Sequence, residues 1–410
     1  MHRRGAKGAL IVAAAAALVL TGCSDKSSDE SSSESTGTGG AASGSLSIQP
    51  LLQVDTEGKE VPKADASAAA DPAGDGSATC APVKIAMAGA LTGPDAALGI
   101  NIINGVKLSL DQHNKANPGC QVGLAQFDTE GDPQKATQVI PQVINDPTVV
   151  GLVGPAFSGE TKATGQILSD AGLASLTASA TNATLTQNGW QTFFRGLAND
   201  DIQGPAVAKY MTGTAGYQKV CVVADNTDYG VGLAKSITEG LGDAADESCS
   251  ASVKKGDKDF SATITKIQSA SPDAIFYSGY YSEAAPLAQQ LKSAGVDATF
   301  VSADGTNDPQ FVSQAGDASK GAILSCPCGP APDEFKADYT ALNSQEPGVY
   351  SVEAYDLTTI LLQGIDSGKV TRPELVDYVR NYDGPGLARQ YKWNANGELA
   401  SALIWIYEVK

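Results

Sequence analysis

Ser158 is the side chain in this 410-residue sequence that most invites a chemical reading, and its surroundings limit what that chemistry can be. A hydrolytic serine needs a base within reach, and in its commonest α/β setting it sits between two glycines in a Gly-x-Ser-x-Gly turn. Here the neighbours read Ala156-Phe157-Ser158-Gly159-Glu160, and apart from His2 the only histidine is His113. Catalysis is therefore not expected. A hydroxyl placed to exchange hydrogen bonds with a bound molecule, or to cap a helix, is the reading that remains.

The thiols offer a second kind of chemistry. Cys23 closes Leu20-Thr21-Gly22-Cys23, which matches the lipobox pattern, in which cleavage before the cysteine leaves its sulfur to carry a diacylglycerol. The other six are Cys80, Cys120, Cys221, Cys249, Cys326 and Cys328, an even number, as suits an exported chain. Cys80 precedes the first expected strand and Cys120 begins the second, while Cys221 and Cys249 sit on or beside neighbouring strands, so these pairs are expected to form disulfides. Cys326-Pro327-Cys328 could close a small disulfide, bind metal or do redox work. Zinc would need further ligands and one usable histidine remains, so a structural disulfide is preferred, and no metal or cofactor is expected.

The elements that must position these groups begin after a leader. Arg3, Arg4 and Lys7 precede an apolar run from Ala9 to Leu20, too short for an ordinary membrane helix and flanked like a secretory signal, so residues 1–22 read as a signal peptide. Residues 23–79 are mostly Ser, Gly, Ala, Asp and Glu behind the lipidated cysteine. Such a segment buries too little to offset its chain entropy, and a disordered tether with a reach on the order of 40 Å is expected. The apolar island from Leu46 to Leu52 is included in that disorder. The formal charge of −18 opposes nucleic-acid binding, which rewards basic surfaces.

From Val83 onward strand and helix signals alternate. Strands are expected near 83–91, 121–127 and 149–153, with a helix after Thr92-Gly93-Pro94 and another opened by Asp132-Pro133. The rhythm restarts after about Asp200, with strands near 220–224, 274–280 and 299–302 and helices between them. Helices near 350–365 and 372–380 follow, then a strand pair between Tyr391 and Tyr407 across Asn394-Ala395-Asn396-Gly397. This predicts an α/β protein of two doubly wound parallel-sheet lobes joined by a hinge. Ligands of such sheets collect at the carboxyl ends of the strands, so a cleft between the lobes is the expected site.

Several segments resemble the leucine/isoleucine/valine-binding proteins, type I periplasmic binding proteins that serve branched-chain amino acid importers. They are Gly154–Thr161, Thr177–Leu185, Arg195-Gly196-Leu197, Gln203-Gly204-Pro205, Asp228–Ala234, Asp257–Ser261 and Gly279–Glu283. Their order and spacing carry the likeness from Val83 to the C-terminus. The resemblance implies an N-terminal lobe of residues 80–199 and 328–386 and a C-terminal lobe of residues 200–327 and 387–410. It also implies that Ser158 meets a ligand carboxylate and that Ser179, Ala180 and Thr181 offer backbone groups and a hydroxyl. Tyr229 and Tyr280 would come from the second lobe, Asp304 would stand where relatives place a glutamate facing the ammonium, and Leu98 and Tyr350 would line the side-chain pocket. The same residues have plainer roles to weigh: Ser158 and Thr181 as helix caps, Asp304 as the cap of the helix after Asn307, the tyrosines as packing.

A zwitterion needs donors at its carboxylate and an acceptor at its ammonium, because desolvating either charge unpaired costs several kcal/mol. The expected function is thus the binding component of an ABC importer, a monomer anchored through Cys23 on the extracytoplasmic face of the membrane, with an amino acid and a permease complex as partners. The alternatives are a sensory receptor subunit of the same fold, or a binder of a small amide or another amino-acid-like solute.

Overall fold

The computed structural model describes residues 45–63, 69–400 and 403–410. The leader and Cys23 lie outside them. Among the described residues the strands form two large sheets and a small hairpin.

A first strand, β1 (Ile48–Val54), precedes the expected body. The first sheet is then built from β2 (Val83–Gly89), β3 (Val122–Asp128), β4 (Val149–Val153), β5 (Ala174–Thr177) and β6 (Phe193–Arg195). These run parallel in the order β3-β2-β4-β5-β6. The second sheet takes β7 (Val220–Ala224), β8 (Ala251–Ser252), β9 (Ala274–Ser278), β10 (Thr299–Ser302) and β11 (Ile323–Cys326), in the parallel order β8-β7-β9-β10-β11. Each sheet therefore reverses direction beside its first strand, the topological switch point at which α/β sheets open a crevice. The all-buried β4 and β9 have the continuous apolar character of strands covered on both faces.

Helices α1 (Ala96–Ala116), α2 (Pro133–Asn145) and α3 (Ser158–Asp170) serve the first sheet, and α4 (Asp200–Lys209), α5 (Asp228–Leu241), α6 (Ser261–Ala270), α7 (Tyr281–Ser293) and α8 (Pro309–Ala315) the second. Local chemistry sets their starts. Asp132 accepts from the backbone N–H groups of Gln134 and Lys135 with Pro133 in the first turn, and Thr227 accepts from Gly230. After α9 (Asp333–Asn343), α10 (Ser351–Asp366) and α11 (Arg372–Arg380) the chain has returned to the first sheet: α10 packs on α1 and β4, and α11 on β4 and β5.

Two expectations are corrected near the ends. Residues 48–54, assigned to a disordered tether, form β1, which pairs antiparallel with β14 (Ile404–Val409) from Ile48 opposite Val409 to Val54 opposite Ile404. Ile48, Leu52 and Val54 cover the edge of the second sheet, Pro50 sits at a register irregularity where its missing N–H is tolerated, and Val54 is fully buried. Beyond it, Ala70 donates to the Pro385 carbonyl, and Asn117 bonds Ala73 and Ala78, so this stretch is fastened to the body too. The strand pair expected between Tyr391 and Tyr407 forms only beside its turn, where Trp393 bridges antiparallel to Leu399 and Ala400 donates to the Lys392 carbonyl, and does not extend to Tyr407. The turn at Asn394–Gly397 exists, but β13 (Gln390–Lys392) pairs with β12 (Asp383–Pro385), while β14 lies between β1 and β11.

The chain crosses between the sheets near 196–199, near 327–332 and after 398. Arg195 donates its backbone N–H to the Gly397 carbonyl, and Trp393 donates its ring N–H to the Arg195 carbonyl. Residues 390–398 thus stay with the first sheet, later than a boundary at 387 would have it. Disulfides join Cys80 to Cys120, Cys221 to Cys249 and Cys326 to Cys328, as expected, the last at the second crossing.

Candidate functional site

Loops at the carboxyl ends of both sheets converge on one small enclosed cavity lined by Leu98, Phe157, Ser158, Ser179, Tyr229, Tyr280, Asp304, Gly305 and Tyr350. Its volume is about 10 Å³, room for about one water. The walls have closed on each other, and a ligand enters only when they part.

The first wall is backbone-built. Gly154, at the end of β4, has φ +126°, and a side chain there would strike the carbonyl of Ala88, so the chain turns sharply into Phe157 and Ser158. Glu160 holds that corner, accepting from the Phe157 N–H at 2.9 Å and from the Thr129 hydroxyl; burial pushes its carboxyl up to about 7. Ser158 does not cap α3. It is the first helical residue, and its hydroxyl accepts from the Asn182 N–H at 3.2 Å. The Ser179 hydroxyl donates to the Ala156 carbonyl.

Ala180 and Thr181 are buried beside the cavity but do not line it. The Ala180 N–H goes to the Thr177 hydroxyl at 2.9 Å, and its carbonyl accepts from the Arg195 guanidinium. Thr181 does not cap a helix either: Asn182 caps the turn that follows, and the Thr181 hydroxyl has no hydrogen-bond partner. Arg195, wholly buried, also donates to the Asn182 carbonyl and pairs with Glu398 at 2.9 Å, fixing the loop from below. A buried guanidinium shared among two carbonyls and a carboxylate is a strong tie.

The second wall carries rings and a charge. Tyr229 and Tyr280 stand 5.2 Å apart, and Tyr280 lies 4.9 Å from Phe157 across the cleft. The Tyr229 hydroxyl accepts from the Gly305 N–H at 3.1 Å. A side chain at Gly305 would collide with the Gly279 carbonyl and both tyrosine rings, so only glycine lets this loop close under them. Asp304 is not a helix cap; Asp308 caps α8 instead. One Asp304 oxygen accepts from Gln203 at 2.9 Å and the other from the Tyr350 hydroxyl. Burial raises its pKa, and the bonds from Tyr350 and Gln203 oppose the rise. Nearby Asp200 is buried with neither oxygen hydrogen-bonded, and burial together with Asp304 pushes its carboxyl up to about 8.

Sequence reasoning missed Phe157 and Gly305 as lining residues, and Lys255 altogether. The Lys255 ammonium sits 4.8 Å from the Tyr280 ring and 5.3 Å from the Phe157 ring, and meets the buried Asp95 of the other wall at 3.1 Å. Asn101 with Asp308 at 2.9 Å, Lys162 with Asp228 at 2.6 Å and Asn182 with the Asp228 carbonyl at 2.6 Å also cross between the walls.

The site offers hydroxyls on one side and a carboxylate among tyrosines on the other, in a gap of about 10 Å³. Ser158 is not brought to a histidine, since His113 is buried in α1 against Asp366 and Asn114. His113, Cys120 and Asp366 do lie close together, but the sulfur of Cys120 is committed to its disulfide.

A family model described as periplasmic binding protein matches residues 82–410. The leucine-, isoleucine-, valine-, threonine- and alanine-binding protein of Pseudomonas aeruginosa is 31% identical over 72% of this chain and 80% of its own. The chain belongs to the leucine/isoleucine/valine-binding group of type I periplasmic binding proteins. The Leu/Ile/Val-binding protein BraC3 of Rhizobium johnstonii is 30% identical over 80% of this periplasmic binding protein and 92% of its own length. Among solved structures, LivJ of Streptococcus pneumoniae, crystallised in complex with isoleucine, superposes with a TM-score of 0.74 at 27% identity, over 80% of this chain and 99% of that one.

Proposed function

We propose that this periplasmic binding protein is the substrate-binding component of an ABC importer, that it takes leucine, isoleucine or valine, and that the two lobes close around the ligand. The observation that carries this reading is Asp304: a carboxylate buried among Tyr350, Gln203 and Tyr229 faces the hydroxyls of Ser158 and Ser179 across the gap. An ammonium at Asp304 and a carboxylate at the serines would each find an opposite partner, as a desolvated zwitterion requires. The printed names of the relatives and the isoleucine complex of LivJ support the same ligand class. Ligand contacts differ between parted and closed walls, and that difference is what would drive closure.

Calorimetry against the common amino acids tests this directly, with saturable binding of a branched-chain amino acid expected. Heat from none of them would overturn the ligand reading. The lipobox at Cys23 supports a lipid anchor on the extracytoplasmic side; among the described residues no helix is long and apolar enough to cross a membrane. Cys23→Ala is expected to release the exported protein from membrane fractions, because acyl chains supply the membrane affinity. Sedimentation of the variant with membranes would remove the anchor.

A further inference from the structure

A second and much larger cavity lies at the hinge, about 530 Å³ in volume, within the range of small-molecule sites. Four separate stretches and Tyr407 of β14 enclose it: the start of β1 with the residues before it, Asn307 with the first turns of α8, the second crossing at Cys328–Ala331, and residues 346–353 leading into α10. Its walls are largely apolar, from Ile48, Val312, Val349 and several prolines.

Three polar side chains define what it could hold. Asn307 lines the cavity at 7% exposure, and its side-chain oxygen has no hydrogen-bond partner. An unsatisfied buried acceptor is unfavourable and asks for a donor. Glu353, also on the wall, is already paired with Arg389 at 2.6 Å, and the exposed Glu346 stands at the rim, so an anion would be repelled.

The two cavities share one residue. Tyr350 lines both, its backbone held at φ +69°, and its hydroxyl donates to Asp304 in the cleft. Asn307 is linked to the same loop, its N–H donating to the Asp304 carbonyl at 3.1 Å. A molecule seated at the hinge would touch Tyr350, one of the two side chains that hold the cleft carboxylate, and Asn307, which is bonded to the backbone of Asp304.

We propose that the hinge cavity is a second ligand site, taking a small neutral and largely apolar molecule with one N–H or O–H donor for Asn307, and that its occupancy is transmitted to the cleft through Tyr350. Occupancy contacts both lobes and the crossing between them, so it shifts the balance between open and closed forms and hence the affinity of the cleft.

Indole, an apolar ring system with a single N–H, is the probe. Calorimetric titration into the full chain in detergent is expected to show one saturable site that survives saturation with leucine. Indole should change the leucine affinity, and leucine the indole affinity, by one common factor of about fivefold. Val312→Trp and the milder Ser313→Trp, which fill the cavity from α8, should abolish indole binding and keep leucine binding. Tyr350→Phe should keep indole binding and lose the coupling. The site is overturned by absence of saturable indole binding, by one-for-one displacement by leucine, or by undiminished binding in both tryptophan variants; the transmission is overturned by a coupling factor of one. Leucine that gives no heat on its own would fail the ligand assignment of the cleft, and the indole isotherm would still judge the hinge.

Discussion

The two walls of the cleft are polar in different ways. On the first, Ser158 and Ser179 present small hydroxyls that are already engaged with neighbouring backbone, the one accepting from Asn182 and the other donating to Ala156. On the second, Asp304 presents a charge whose supports, Gln203 and Tyr350, come from α4 and from the start of α10 rather than from its own loop. The first wall's hydroxyls are thus held within their own lobe, whereas Asp304 takes one of its two side-chain hydrogen bonds, that from Tyr350, across the gap. A ligand that docked on the first wall would be committed by the second.

The largest test of this asymmetry is Asp304→Ala, which should weaken amino acid binding by roughly 2–5 kcal/mol by leaving an ammonium unpaired. Asp304→Asn, which keeps the shape and removes the charge, should fall in the same direction. Because burial raises the pKa of Asp304, wild-type affinity should also fall on acidification as the carboxyl takes up its proton. Calorimetry that finds either variant unimpaired removes Asp304 from the site.

On the first wall, Ser158→Ala and Ser179→Ala should each weaken binding by about 0.5–1.5 kcal/mol, the value of a neutral hydrogen bond. Losses as large as that at Asp304 would abolish the distinction between the walls.

The last test concerns Asp200, and it is one of stability rather than of binding. Its folded carboxyl, pushed up to about 8 by burial, keeps a proton that the unfolded chain releases above its ordinary value of 3.8. This contribution is whole below the unfolded value and is lost as the pH rises toward 8. Urea unfolding should show Asp200→Asn losing less stability than wild type between pH 5 and pH 8. Parallel pH profiles would show that Asp200 is solvated or partnered.

Most of the fold could be read from local pattern. Runs such as Val149–Val153 and Ala274–Ser278, with Asp132-Pro133 before a helix, signal their elements within a few residues. Long-range pairing was not legible. β1 looks like a short apolar island in a polar segment until β14, some 350 residues later, supplies its partner. The site divides in the same way. The stretch containing Ala180 and Thr181 was located, yet which groups it turns to the cleft depends on Arg195 and Thr177, which take up the carbonyl and N–H of Ala180. Gly305 follows Asp304 directly, but its role depends on two rings from elsewhere in the chain, Tyr229 in α5 and Tyr280 just before α7. Lys255 belongs to a loop with no motif of its own and matters only because Asp95 and two aromatic rings arrive there from elsewhere.

The stitching of β1 onto β14 also decides how the body would bear a load. Ser47 and Lys410 each donate a backbone N–H to the other's carbonyl, at 2.8 and 3.0 Å, and the ladder continues from Ile48 opposite Val409 to Val54 opposite Ile404. A pull applied ahead of Ser47 would therefore fall first on the hydrogen bonds of the outermost strand, on the half that carries Asp304.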